Sequence, residues 1–238
     1  TPGTRQLEQV MCMGADTDQA EATLGLRVGD TAALDLYDGR GWVTGGHRES
    51  MLTDAVQAYL ADLEAGRSSL IIASRNEDVD TLNEVIRARR VADGIVDDTH
   101  TTSVPRGDTV GVGDTVIARR NSKLYTEDSK YLGRVINGQL FTVTGLVQDG
   151  SLLVKDQNTG QDMLIPADYA AKNIHLGYAA TIHRAQGATV DTTHAVIDTS
   201  VDRAGLYVAM TRGRRENRVY AVCEPDLDTA AEEGHMHS

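Results

Sequence analysis

Two short segments in the last quarter of the chain carry side chains of the kind that handle phosphate. The first is TIHRAQG, residues 181–187. It gathers a hydroxyl (Thr181), an imidazole (His183), a guanidinium (Arg184) and an amide (Gln186). It ends on Gly187, whose missing Cβ lets another group approach closely. With Thr181 where a strand gives way to a helix, it takes an N-cap position, and the free N–H groups of that first turn suit a phosphate oxygen. The second segment is AMTRGRREN, residues 209–217. Arg212 there is planar and permanently charged, the group that can stabilise charge building up on a transferring phosphoryl. Plainer uses exist for both. A cation at a helix end is favoured by the helix dipole, and a capped surface helix can hold a histidine with no chemical duty. Spacing alone does not choose between these readings.

Other chemistries are excluded or weak. A phosphate-cradling loop needs G-x-x-x-x-G-K-[ST], and no Lys in this chain follows a Gly. The chain alone is therefore expected not to hydrolyse ATP. Asp198 follows the apolar run AVI and resembles a strand-end metal-binding acid, but it reads more simply as a turn or cap. His183 and His194 lack a ligand set, so no metal site is expected. Ser200 and the other serines lack the context of an activated nucleophile. Cys12 and Cys223 stand near opposite ends and imply neither a disulfide framework nor zinc, which fits a bacterial cytoplasm.

The 238 residues are enough for one large domain or two small ones. With one Trp, one Phe and eight Tyr, the core must be mostly aliphatic. No apolar run approaches the length of a membrane span, and no membrane partner is expected. TPGTRQLEQV opens without an initiator Met, and the sequence is expected to be a piece of a longer protein; the closing GHMHS is given no function. The net charge of −12 argues against a surface coated for nucleic acid. The positive charge is local instead. Arg106, Arg119, Arg120, Lys123, Lys130 and Arg134 form one cluster, and Arg203, Arg212, Arg214, Arg215 and Arg218 another. Local basic strips are what a DNA track needs.

The elements that must position these residues are legible in part. DTDQAEATLGLR suggests a short helix ending near Gly29, TAALDL (31–36) a strand, and YDGRGWVTGG a turn-rich loop. From Ser50, the residues Met51, Leu52, Ala55, Val56, Tyr59, Leu60 and Leu63 keep helical spacing until Gly66. SLIIAS (69–74) reads as a buried parallel strand, and 77–92 as a second helix. From about Gly107 the pattern becomes short strands with turns, at 114–119, 140–147, 151–156 and 161–165. After Pro166 the α/β pattern returns, with strands near 174–178, 193–197 and 217–222 and helices near 181–186 and 203–212.

GYAATIHRAQGATVD and YVAMTRGRREN together resemble motifs V and VI of superfamily 1 DNA helicases, best in the RecD-like branch found in the helicase half of TraI/TrwC-type (MobF) conjugative relaxases. LRVGDTAALDLYDGRGWVTGG, LIIASRNEDVDTLNEVIRARRVADG, GVGDTVIARRN and VINGQLFTVTGL are similar to the corresponding region of actinobacterial relaxases. The resemblance implies an α/β fold: a RecA-like parallel sheet flanked by helices, with an inserted small antiparallel SH3-like β-barrel. It divides the chain into a first part of RecA-like lobe 2 (1–106), the barrel (107–168), the remainder of the lobe (169–224) and a tail (225–238). It implies a 5′-to-3′ motor lobe that uses ATP and Mg2+ in the full-length parent, binds none alone, and works with single-stranded DNA and an N-terminal RecA-like lobe of the same polypeptide. Arg212 then matches the arginine finger. Gln186 and Gly187 match nucleotide-facing positions, and Thr181, His183, Ser74 and Asn76 match DNA-side positions. Arg120, Asn121 and Asn137 are further DNA-facing candidates. One departure is VMCMG at 10–14, where such proteins usually carry an Arg; Arg5 is out of register. Two alternatives stay open: a single-strand-binding or protein-docking module that has lost its chemistry, and a fragment of an exonuclease V α-subunit.

Overall fold

The structure is a computed structural model and describes residues 39–126 and 128–223. The helix and strand expected before residue 37, the VMCMG segment and the tail from 225 lie outside the described residues. Five parallel strands make the first sheet: β1 (Val43–Gly46), β2 (Ser69–Ala73), β12 (Ala179–Thr181), β13 (Val190–Ile197) and β14 (Gly213–Val222), in the spatial order β1-β14-β13-β2-β12. β2 is buried at every position, as a strand covered on both faces must be.

Alternate strand residues go to opposite faces. Ile71, Ala73, Val196, Tyr220 and Val222 pack with helices α1 (Arg48–Glu64) and α2 (Asn76–Ala92). Leu70, Ile72, Ala195 and Val219 pack instead with Ala185, Ala209 and Met210. Those residues belong to or follow the short helices α4 (Ile182–Ala185) and α5 (Arg203–Ala209). Helix α1 buries Met51, Ala55, Tyr59 and Asp62, the spacing expected from its sequence plus one acid. Asp62 is there because buried His194 turns its Nε2 to it, 2.8 Å away, while the other ring nitrogen lies 3.2 Å from the Tyr220 hydroxyl.

The second sheet is antiparallel, in the order β10-β9-β8-β5-β11: β5 (Thr115–Ala118), β8 (Leu140–Leu146), β9 (Leu152–Asp156), β10 (Asp162–Ile165) and β11 (Ile174–Leu176). Helix α3 (Ala167–Asn173) leads into β11. Two ribbons complete the described fold, β3 (Thr101–Ser103) with β4 (Thr109–Gly111) and β6 (Ser122–Tyr125) with β7 (Tyr131–Val135).

Three expectations need correction. The loop expected at YDGRGWVTGG contains strand β1, which among the described residues pairs with β14 alone, so its glycine-rich sequence suffices. The single strand expected at 174–178 is two strands in different sheets: β11 pairs antiparallel with β5, and β12 pairs parallel with β2. The run IHLGYAAT is apolar throughout, so nothing in its pattern marks the break. The helices expected at 181–186 and 203–212 are shorter, at Ile182–Ala185 and Arg203–Ala209.

The break is fixed by hydrogen bonds. Gly177 N–H donates to the Thr115 carbonyl of β5, at 2.9 Å, and the Tyr178 carbonyl accepts from Ile71 N of β2, at 3.1 Å. A Cβ at Gly177 would lie 2.8 Å from the Val116 carbonyl carbon, so only glycine fits. Asn83 of α2 clasps the next residue, accepting from Ala179 N (2.9 Å) and donating to Ala179 O (3.2 Å). The Tyr178 hydroxyl donates to Asp114, which is fully buried and also accepts from Gly111 N (2.7 Å) and Arg87 Nε (3.1 Å). Removing a buried charge that satisfies several donors strands them without solvent. Asp114→Ala is expected to lower unfolding stability by about 3 kcal/mol or more, read as a shift of the urea midpoint at constant slope; a loss below about 1 kcal/mol would contradict this account.

Candidate nucleotide and single-strand interface

Thr181 is the last residue of β12 and the N-cap of α4. Its expected capping bond is absent: the side chain accepts no hydrogen bond from the helix, and α4 is only four residues long. The Thr181 side chain instead faces a cleft of about 500 Å3 between α4 and α5, which also contains Ser74, His183 and Gln186. Four residues expected at DNA or nucleotide are thus brought together from two distant segments. Ile182, Val201, Ala204 and Val208 give the cleft apolar walls, and Ser200 and Asp202 add polar edges. Ser74 Oγ is buried and has no hydrogen-bond partner among the described residues.

Ser200 and Asp202 were not singled out from sequence. Asp202 does carry a readable signal, since it precedes a helical run and its carboxylate accepts from Gly205 N at 2.7 Å as an N-cap. Next in sequence to Ser74, and two residues before Ser200, begins a charge network. Arg48 Nη1 meets Asp78 at 2.6 Å, Arg48 Nη2 meets Asp198 at 3.2 Å, and Arg75 Nε meets Asp198 at 2.7 Å. Burial alone would raise the Asp198 pKa, but hydrogen bonds from Ser200, Arg75 and Arg48 hold it below the ordinary carboxylate value. Asp198 therefore ties the ends of β2 and β13 to the start of α1, the turn-type role expected of it.

Arg212 follows α5 and precedes β14. Its Nε donates to the Val208 carbonyl (3.2 Å) and its Nη2 to Thr211 Oγ1 (2.8 Å). Thr211 in turn donates to the Tyr207 carbonyl at 2.8 Å. The guanidinium thus reaches back onto the last turn of α5, on the same side of the parallel sheet as TIHRAQG. Its carbonyl accepts from Val190 N (3.1 Å), just beyond the Gln186-Gly187 turn. Among the described residues no carboxylate lies within ion-pairing distance of Arg212. The contact with Val208 is a helix-end interaction; the missing counter-ion leaves capacity for an anion.

The antiparallel sheet presses directly on this turn. A Cβ on Gly138 would lie 2.7 Å from Ala188 N, and one on Gly187 would lie 2.6 Å from Asn137 O. Both residues have positive φ, 83° and 96°. Asn137 Nδ2 points to Gln186 O at 3.4 Å, and its own N–H donates to Asn121 Oδ1 at 2.8 Å. Asn121 and Asn137 thus buttress the turn from behind. Arg120 and Asn76 are exposed and do not line the cleft. Arg119, a member of the first basic cluster, donates to the Arg184 carbonyl at 2.8 Å.

No family model matches the chain. It is 29% identical over 209 residues to the conjugal transfer protein TraA of Agrobacterium fabrum, covering 85% of this chain and 18% of that protein. It is 30% identical over 221 residues to the probable conjugal transfer protein TraA of Sinorhizobium fredii, covering 91% and 18%. The chain is homologous to conjugal transfer protein TraA. It spans about a fifth of these curated TraA relatives. An uncharacterized protein of Mycobacterium tuberculosis is 33% identical over 115 residues, 48% of this chain and 63% of that one. Among solved structures, Bacteroides Pif1 bound to single-stranded DNA gives a TM-score of 0.47 at 17% identity, over 92% of this chain and 54% of that one. Pif1 from Candida albicans gives 0.40 at 15%, over 78% and 57%.

Behind the Gln186-Gly187 turn, His175 sits half-buried in a crevice with Arg119 and Arg184. Burial, then the positive charges of Arg119, Arg184 and Arg106, push its imidazole down from 6.5 to about 4. The native state therefore keeps His175 neutral where the unfolded chain protonates it. Stability is expected to fall as pH drops from 6.5 towards 4, and His175→Gln to remove that part of the loss. A proton NMR titration should place the His175 midpoint near 4; a midpoint at the ordinary 6.5 would contradict the arrangement.

Proposed function

We propose that this chain is the second motor lobe of an ATP-dependent DNA helicase, in the helicase part of a conjugative relaxase. The observation that carries the reading is the Arg212 guanidinium. It is held by Val208 O and Thr211 Oγ1 at the end of α5, on the sheet side that also carries TIHRAQG, with no carboxylate to neutralise it among the described residues. The homology to conjugal transfer protein TraA supports the setting. In this reading residues 1–106 and 169–224 form the RecA-like lobe, and 107–168 an SH3-like insertion.

ATP with Mg2+, bound largely by the first lobe of the parent, supplies the bond whose cleavage drives movement. Arg212 fits that group by charge and by its planar fork. A planar fork already held by two acceptors loses little freedom when it meets a phosphoryl oxygen. Gln186 brings an amide to the cleft, and in this reading Gly187 is the nucleotide-facing position next to it. Thr181, His183 and the unpartnered Ser74 hydroxyl line the cleft as acceptors and donors for a single DNA strand. A shift of the Gln186-Gly187 turn on nucleotide binding moves Thr181 and His183 with it, because only the single turn of α4 separates them. That coupling is what a translocating lobe requires. The partners in this reading are single-stranded DNA and the first lobe.

The test uses the parent polypeptide, which in this reading carries the phosphate loop. Arg212→Ala is expected to lower DNA-stimulated ATP turnover by roughly 10³-fold or more, with DNA affinity little changed. Thr211→Val, which removes one support of the guanidinium, should cost about 10- to 100-fold in kcat while leaving the KM for ATP near that of the parent. Unchanged turnover in Arg212→Ala would remove the catalytic assignment. DNA binding without any ATP turnover in the parent would favour the non-catalytic module.

A further inference from the structure

The β6–β7 ribbon carries a feature that neither the cleft nor Arg212 uses. Its inner side is apolar: Leu124 and Val135 are buried, and Gly133 lies over Met163 of β10. Its outer side is different. Lys123 stands directly opposite Arg134, and Tyr125 directly opposite Tyr131. Like charges paired across strands destabilise a ribbon. Here no carboxylate among the described residues lies within ion-pairing distance of either cation. The neighbouring Lys130 adds a third positive charge, and exposed Asp128 in the connecting turn pairs with none of them.

The two tyrosines are 46% and 56% exposed, with ring centroids 5.6 Å apart at 59°. Tyr59, Phe141, Tyr169, Tyr178 and Tyr220 are buried and Trp42 and Tyr207 are partly buried, so among the described residues these two tyrosines are the exposed aromatics. A fold that tolerates an uncompensated cation pair beside an uncovered aromatic pair has a use for both. The two rows lie roughly 7 Å apart along the ribbon, about the reach of one nucleotide.

We propose that the outer face of the β6–β7 ribbon is a second binding site for single-stranded DNA, with a phosphate held between Lys123 and Arg134 and a base stacked on Tyr125 and Tyr131. Stacking on aromatic rings beside a basic strip is the sequence-tolerant way to hold a single strand. The net charge of −12 makes the cation pair a local choice rather than a consequence of composition. Strand β7 continues through Ile136 into the Asn137-Gly138 turn that abuts Gln186-Gly187, so the ribbon is joined to the back of the turn that lines the cleft. The site rests on single-stranded DNA being the partner of the cleft, and the experiment separates the two.

Fluorescence anisotropy of the full chain with a labelled oligo-dT of about 15 nucleotides is the measurement. Lys123→Ala/Arg134→Ala should weaken binding and reduce the slope of log Kd against log salt by about 0.7 to 1.4. Tyr125→Ala/Tyr131→Ala should weaken binding about 10- to 100-fold with the salt slope kept, and Tyr125→Phe/Tyr131→Phe should stay near the unmodified chain. Circular dichroism confirms that each variant is folded. The proposal is overturned if all ribbon variants bind within about twofold of the unmodified chain while Thr181→Ala/His183→Ala weakens binding; the cleft then stands alone. Weakening by the ribbon variants but not by the cleft variant supports the ribbon and removes the cleft assignment. Equal binding to duplex with no tyrosine effect reduces the ribbon to a charged surface and overturns the proposal, as does the absence of any binding by the unmodified chain.

Discussion

Three residues hold this architecture together. At Gly177, Tyr178 and Ala179 the chain leaves an antiparallel sheet and enters a parallel one without a loop between them. Gly177 is bonded to β5, the Tyr178 carbonyl to β2, and Ala179 to the Asn83 amide of α2. A buried polar group must find a partner or cost several kcal/mol. Tyr178 finds one in Asp114, and Asp114 finds the rest of its partners in Gly111 and Arg87. The position of everything downstream, beginning with Thr181, follows from this junction.

One consequence is that TIHRAQG is supported from both sides. In front, α5 packs on α4, and Gly205 leaves room for Ile182. Behind, the Asn137-Gly138 turn and Arg119 bear on Gln186, Gly187 and Arg184. The glycines at 138 and 187 are needed because the two backbones approach too closely for any side chain. Rigid support of this kind makes a short turn a usable site, since a group misplaced by an ångström loses most of its chemical value. The network of Arg48, Asp78, Arg75 and Asp198 fixes the segments that carry Ser74 and Ser200.

The sequence was readable where periodicity and burial agree. Helices α1 and α2 and strand β2 announce themselves because one face or the whole segment is apolar over many residues. The antiparallel strands are readable because Asn-Gly and Asp-Gly turns separate them. Strand β1 is hidden because an edge strand needs only one hydrogen-bonded neighbour and tolerates glycine. The change of sheet inside IHLGYAAT is hidden because both sheets ask for the same apolar residues. Thr181 was legible as a cap by position only; α4 is too short to use the hydroxyl, which leaves it to the cleft. The gathering of Ser74 with Thr181 and His183 follows the β2–β12 register, and the contact of Asn137 with Gln186 spans 49 residues; local spacing carries neither.

Catalysis by this lobe requires an Arg212 guanidinium that can leave Val208 and reach a phosphoryl oxygen. The most direct measurement is a structure of the parent polypeptide with ADP-AlF4 and an oligo-dT strand. The account predicts that Arg212 turns its free Nη edge to the fluoride oxyanion mimic while Thr211 still supports it, with DNA against Thr181 and His183. Nucleotide bound elsewhere, with Arg212 still turned onto Val208 and no phosphate analogue in reach, would contradict it.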